Sequence, residues 1–275
     1  MSNAAASLTS TSAPSPLLRE TMGSIAVLTL TSQSSRNALS ETMIAALQHA
    51  LDDIRHDARV RAVVIAAEGP AFSSGHDLKE LTARRADADK GRAYFAHIMN
   101  SCAAMMQTIV TLPKPVIAAV QGVATAAGCQ LVATCDLAIA SDRATFATPG
   151  VDIGLFCSTP MVALSRNVPR KHALHMLMTG EPISAHRAAE LGLVNKVVPA
   201  GEERATAIAL AETIAKKSAY TLKVGKEAFY RQAEMSLADA YAYTAQVMTE
   251  NMLALDAQEG IGAFIEKRDP EWKDR

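Results

Sequence analysis

Residues 115–130, PVIAAVQGVATAAGCQ, decide how the chain is read. Val116 to Val120 is an apolar run of strand length. It passes into a tract, Gly122 to Cys129, with almost no side-chain bulk. The LVATCDLAIA that follows carries helix formers and then another strand-like run. A strand that feeds a small-residue turn and then a helix presents free backbone N–H groups at the helix start. It also lets a ligand approach the main chain closely. A tight turn packed against its neighbours would carry the same pattern, and this stretch alone leaves both readings open.

On either side, the pattern is β/α first and helical last. SIAVLTL (24–30) reads as the first strand, and VRAVVIAA (60–67) as a second, continuously apolar one. Between them Ser40 is placed to cap a helix whose stripe is Met43, Leu47, Ala50, Leu51 and Ile54. A buried strand reached through a helix predicts a parallel crossover unit. TARRADADKGRA is expected to be solvated and mobile, and a long helix is predicted from about Tyr94 to Thr111, ending at Pro113 and Pro115. RATFATPGVDIGLFCSTP reads as loop. Successive short helices follow, with LVNKVV as a brief strand and Ser236 and Asp239 as a capping-box-like start to the helix after them.

The totals narrow the function. At 275 residues and 49% hydrophobic the chain can bury one sizeable core. A net charge of −1 with no basic run argues against nucleic acid, and no apolar stretch approaches the about 20 residues of a membrane span. Cys102, Cys129, Cys135 and Cys157 form no CxxC pair and have no histidine cluster beside them. Reduced, buried thiols and no metal are therefore expected. Residues 1–19 are expected to be a disordered extension. Their Ser/Thr/Ala/Pro-rich start lacks the apolar core of a secretory signal, and Arg19 alone falls short of the arginine content of a mitochondrial presequence. A cytoplasmic location is expected, with the mitochondrial matrix as the alternative if that extension is a presequence.

Three loops are candidates for chemistry: SSGHDLKE, GVATAAGCQ and TPGVDIGLFCSTP. In a parallel layout such loops gather at the carboxyl ends of the strands. Neither GxGxxG nor GxxxxGKS occurs, which disfavours a nicotinamide enzyme or an NTPase. Gly122, Gly128 and the alanines between them suit close contact with a carbonyl or thioester. His76 is a possible base, but is better read as supplying a backbone N–H. Asp77 and Asp136 read as caps or braces, and Asp152 as a weaker chemical candidate.

RNALS, AFSSGHDLKEL, PVIAAVQGVATAAGCQL, CDLAIASDRATFATPGVDIGLF and the closing GAFIEKRDPEWKD resemble the enoyl-CoA hydratase/isomerase (crotonase) superfamily, from about Ser24 to the C-terminus. The resemblance implies an α/β crotonase (ClpP-like) fold: a spiral core of repeated ββα units over residues 20–200, then a C-terminal helical region, 201–275, that mediates trimers, often paired into hexamers. It implies a lyase-class enzyme of fatty-acid metabolism with a coenzyme A thioester as ligand and no other cofactor. The backbone N–H groups of His76 and Ala127 would hold the thioester oxygen. Arg36, Ser74, Asp77, Leu78 and Lys79 would line the CoA path, with Lys267 reaching in from a neighbouring subunit. The family's hydratases use two glutamates, and at those positions this chain has Gln130 and Gly150. That puts standard hydration in doubt, and Asp152, two residues on, is the remaining acid.

Overall fold

The computed structural model describes residues 15–275. Residues 1–14 of the expected extension lie outside them. Order begins earlier than the sequence suggested: Leu17–Met22 is a strand, β1, whose only buried residue is Leu17. It runs antiparallel to β2 (Ile25–Leu30), in which every residue is buried. Residues 17–19, expected in the extension, are therefore part of the sheet.

The helix after β2, α1 (Glu41–His56), starts as its sequence predicts. Ser40 caps it by accepting from Met43 N at 3.2 Å, and the predicted stripe is buried. Strand β3 (Ala62–Ala67) then lies parallel to β2, Ile25 opposite Ala62. From here the chain repeats one motif. A long strand is followed by a three-residue strand that leaves for a second sheet, and then by helix. The first coil is β3, β4 (Ala71–Ser73), α2 (Leu78–Ala83) and α3 (Arg92–Thr111). The second is β5 (Val116–Val120), β6 (Val123–Thr125) and α4 (Ala127–Thr134). The third is β7 (Leu137–Ser141), β8 (Thr145–Ala147), a 3-10 turn at Pro149–Ile153, α5 (Pro160–Asn167) and α6 (Arg170–Thr179). This is the ββα spiral of the crotonase fold.

The spiral is completed by β9 (Ile183–Ser184), α7 (Ala185–Glu190), β10 (Lys196–Val198) and α8 (Glu203–Ala215). The main sheet has the order β1-β2-β3-β5-β7-β10, and the second β4-β6-β8-β9. All pairs are parallel except β1 with β2 and β8 with β9. Alternation along the main strands divides the interior. Leu28, Val63, Ile65 and Val116 face the larger core, shared with α1, α3 and α4. Val27, Val64, Ile117 and Ala119 face the other side, where Ala207 and Ala211 of α8 cover them. The first helix after residue 200 is thus a layer of the core, so packing crosses the boundary expected there.

The remaining helices, α9 (Ala219–Gln232), α10 (Leu237–Leu253) and α11 (Leu255–Glu266), form the C-terminal region. A buried charged group ties it to the core. Lys226 Nζ, on α9, donates to Asp136 Oδ2 at 2.6 Å and to the carbonyls of Ile109 and Lys114. Asp136 also accepts from Tyr230 Oη and from Val116 N, at the start of β5. Burial pushes the Lys226 ammonium below the usual lysine range, opposed by the Asp136 charge. Two loops predicted from composition contain structure. The charged segment carries the end of α2 and a 3-10 turn, with Arg84 over the Tyr94 ring and Arg85 over that of Phe95. The stretch from Arg143 holds β8. Among the described residues, no helix is long and apolar enough to cross a membrane.

Candidate functional site

The short strands β4 and β6 are parallel neighbours, and each ends in one of the predicted loops. After β4, Leu39 N donates to Gly75 O at 2.7 Å and His76 forms a bridge with Leu39. In a parallel ladder this turns the N–H of His76 to the opposite side of the strand. After β6 the chain enters α4 through Ala126, whose N–H donates to Ala147 O at 2.9 Å. Ala126 has φ 50° and ψ −118°, a conformation suited to glycine. That bend makes Ala127 the first residue of the helix, where its N–H has no intrahelical acceptor.

The two turns meet. A Cβ added to Gly75, itself at φ 86°, would lie 2.9 Å from Ala126 Cβ and 3.1 Å from Ala127 N. A Cβ on Gly128 would lie 2.3 Å from Ser73 O. Only glycine at both positions lets the start of α4 sit directly on the end of β4. Among the described residues, neither His76 N nor Ala127 N donates to a backbone or side-chain acceptor within hydrogen-bonding distance. Unused N–H groups on two adjacent turns, one of them at a helix N-terminus, make this the candidate cradle for an oxygen that carries or develops negative charge.

Around this cradle the structure sorts the other candidates. Gln130 lies one turn along α4, is 5% exposed, and its Oε1 is buried without a partner. Gly150 lies in the 3-10 turn. A Cβ there would meet Cys157 Sγ and Leu155 O, both at 2.9 Å. The space a side chain at 150 would enter is therefore filled by the chain itself. Cys129 and Cys157 are buried, and burial raises both thiols, Cys129 to about 12. Neither is a thiolate near neutral pH. The His76 ring is largely buried and its Nε2 lacks a partner, and desolvation lowers its pKa.

Asp152 is exposed, and its carboxylate lies close to Gly180, where a Cβ would be 3.1 Å from Oδ2. The turn directs it toward the end of α6. Asp77 is the N-cap of α2, its Oδ1 accepting from Lys79 N at 2.8 Å and Glu80 N at 3.2 Å. Ser74 adjoins the cradle, its N–H on Arg36 O at 3.0 Å and its Oγ on Ser35 O at 3.3 Å. Arg36 sits in the left-handed region at φ 55° with an exposed side chain. Leu78 and Lys79 are exposed on the first turn of α2. Lys267 ends α11 in the C-terminal region. Sequence reasoning missed Thr148, at the carboxyl end of β8. It is fully buried, and its Oγ1 neither caps the following turn nor has another partner. Its place depends on a strand that composition had hidden. Among the described residues no group of three or more His, Cys, Asp or Glu side chains is arranged to hold a metal.

The sequence profile of the enoyl-CoA hydratase/isomerase family matches residues 20–275, and the chain belongs to that family. Within it the chain is 53% identical over 246 residues to the enoyl-CoA hydratase domain-containing protein 3, mitochondrial, of Xenopus laevis, covering 88% of this chain and 81% of that protein. It is 49% identical over 264 residues to the protein of the same name from Homo sapiens, covering 95% and 84%. The crystal structure of the human protein superposes with a TM-score of 0.87 at 49% identity, over 94% of this chain and all of that one. An enoyl-CoA hydratase from Mycobacterium smegmatis superposes with a TM-score of 0.88 at 48% identity, over 94% and 98%.

Proposed function

We propose that this chain binds acyl-CoA thioesters, holding the thioester oxygen between His76 N and Ala127 N, and that it does not hydrate enoyl-CoA at the rate expected of a hydratase. One observation carries the reading: two adjacent N–H groups, from successive coils of the spiral, have no acceptor among the described residues. Such a pair stabilises an enolate-like state, and one donor of this kind is worth about 10²–10³ in rate. Hydration also needs proton exchange, worth about 10²–10⁴. Gln130 cannot supply it near neutral pH, and Gly150 has no side chain. Decarboxylation, isomerisation or thioester hydrolysis ask less of an acid/base pair. A non-catalytic acyl-CoA binder or regulator is the second reading, favoured by the two neighbouring thiols being protonated.

Arg36, Ser74, Asp77, Leu78 and Lys79 are the proposed CoA contacts, joined by Lys267 of a neighbouring copy. Homotrimers, or hexamers built from two of them, fit the exposed apolar side chains of the C-terminal helices, Leu237, Tyr241, Phe264 and Ile265 among them. The mitochondrial alternative is preferred to the cytoplasmic expectation, because relatives near 50% identity carry "mitochondrial" in their names.

The test has two arms. Calorimetric titration with butyryl-CoA should show saturable binding below about 1 mM. With crotonyl-CoA, loss of the conjugated absorbance should run at least 100-fold below the about 10 s⁻¹ of a typical enzyme. Absence of binding at millimolar thioester would overturn the first claim, and turnover within that margin would overturn the second.

A further inference from the structure

Three corners of the chain meet at one carbonyl: the turn from β2 to α1, the link from β3 to β4, and the link from β5 to β6. Ala71 O, at the start of β4, accepts from Asn37 Nδ2 at 2.8 Å and from Gln121 Nε2 at 3.0 Å. Each amide also holds a second carbonyl of the β3–β4 link, Glu68 O at 2.8 Å for Asn37 and Gly69 O at 3.1 Å for Gln121. Every partner is a carbonyl oxygen, so both side chains must present their NH₂ groups to it. Their own oxygens, Asn37 Oδ1 and Gln121 Oε1, are left buried without a partner. Asn37 is fully buried at φ 52°, in the left-handed region that asparagine tolerates better than most residues. An orphaned oxygen and a left-handed backbone both cost stability, and what Asn37 contributes against that cost is its hold on the link.

The hold acts where the second sheet is least able to fix itself. β4 and β6 have three residues each, and their ladder pairs Ala71 with Val123 and Ser73 with Ala124, with an irregularity between. A bulge lets one strand advance past its partner, and so short a ladder has few bonds to set the register. The corners supply what the ladder lacks. A Cβ at Gly122, next to Gln121, would overlap Pro70 O, so the second corner nests directly on the first. The turn that carries Asn37 also follows β4 to its far end, where Ser74 N donates to Arg36 O at 3.0 Å and Leu39 N to Gly75 O at 2.7 Å. Resting on the reading that His76 N and Ala127 N hold a thioester oxygen, we propose that Asn37 and Gln121 are positioning residues. Their shared hold on Ala71 O sets β4 against β6, and so sets the spacing of the two donors that follow these strands. They act from the opposite end of strands about 10 Å long.

The experiment measures dissociation constants by calorimetry for butyryl-CoA and for S-butyl-CoA, a thioether of the same length that lacks the carbonyl oxygen. Their ratio reads the oxygen seat alone. The full-length protein should prefer the thioester by about tenfold or more, as hydrogen bonds from two donors would give. Gln121→Met and Asn37→Gly should each bring that ratio below about threefold while S-butyl-CoA binds within about twofold of the parent. Glycine suits the backbone at position 37, and methionine keeps the length of Gln121 while removing its orphaned oxygen. Gln121→Met should therefore melt within about 4 °C of the parent. Gln33→Met, in the turn after β2 with its amide on Glu68 Oε2 at 2.9 Å, should keep the parent ratio. A ratio retained in either variant, or lost in Gln33→Met as well, overturns the positioning role. So does an equal weakening of both ligands, which a merely structural role would produce. These outcomes leave the thioester reading standing. A parent that binds the two ligands alike, or binds neither, removes the oxygen seat and this inference with it.

Discussion

Gly128→Ala tests whether the fit between α4 and β4 sets up the donor pair. The added methyl would stand 2.3 Å from Ser73 O and 2.8 Å from both Ser73 C and Ser73 Cβ. The neighbours include backbone, so no rotamer relieves the contact. Restoring an ordinary separation requires α4 to withdraw by about 1 Å, and overpacking of this kind costs about 1–3 kcal/mol. Ala127 N moves with the helix, whereas His76 N stays with β4. A misplacement of that size in a positioned group costs up to about 10² in function. Gly225→Ala is the matched control. It lies in α9 with nothing within 4 Å of the added atom, and Ala there should stabilise by about 0.5–1 kcal/mol. Urea unfolding and butyryl-CoA titration of both variants give the two readouts. If Gly128→Ala unfolds like the parent and binds within threefold of it, the close seating of α4 is not what positions the donor.

Ala126→Gly relieves the strained bend at φ 50°. Set against the entropy of glycine and the loss of a methyl, the gain should be about 1 kcal/mol, or about 2–4 °C in melting temperature, and a fall in stability would contradict it. Lys226→Met strands the Asp136 carboxylate, and urea titration should show a loss of about 3–5 kcal/mol; a loss under 1 kcal/mol would mean the cluster is not a buried charge pair. Burial holds His76 below its unfolded value near 6.5, so the unfolded chain binds more protons between the two values. Its contribution should be complete above about pH 6.5 and be lost as pH falls through the folded value. The stability difference from His76→Asn should be flat above pH 7 and change below 6.5, and a difference that does not vary between pH 7 and 5 counts against the assignment.

Much of this architecture was legible because local rules act alone. The α1 stripe and its Ser40 cap needed no tertiary information, and the main-sheet strands announced themselves as apolar runs buried on both faces. The second sheet was not legible. Its strands in the repeat, β4, β6 and β8, have three residues each, too few for alternation to show. Leu17 to Arg19 read as tail because an edge strand with one buried residue carries no apolar pattern. At the candidate site, a free N–H at the start of α4 followed from the strand-to-helix grammar, while the pairing of His76 with Ala127 came from the resemblance. Cys157 against Gly150 and the orphaned Thr148 hydroxyl depend on how a distant loop closes, and periodicity records nothing of that.

The coil-by-coil build has a further consequence for how such a site can diverge. His76 and Ala127 follow β4 and β6, which are hydrogen-bonded neighbours. Their separation is therefore governed by the inter-strand spacing of about 4.8 Å, a constant of the sheet rather than a property of any side chain. On the proposed reading, the oxygen seat would come with the scaffold, while the groups that would decide what happens next are carried by residues free to change. A chain with glutamine and glycine at positions 130 and 150 would then keep the seat unaltered, so that loss of one chemistry need not pass through loss of the ligand.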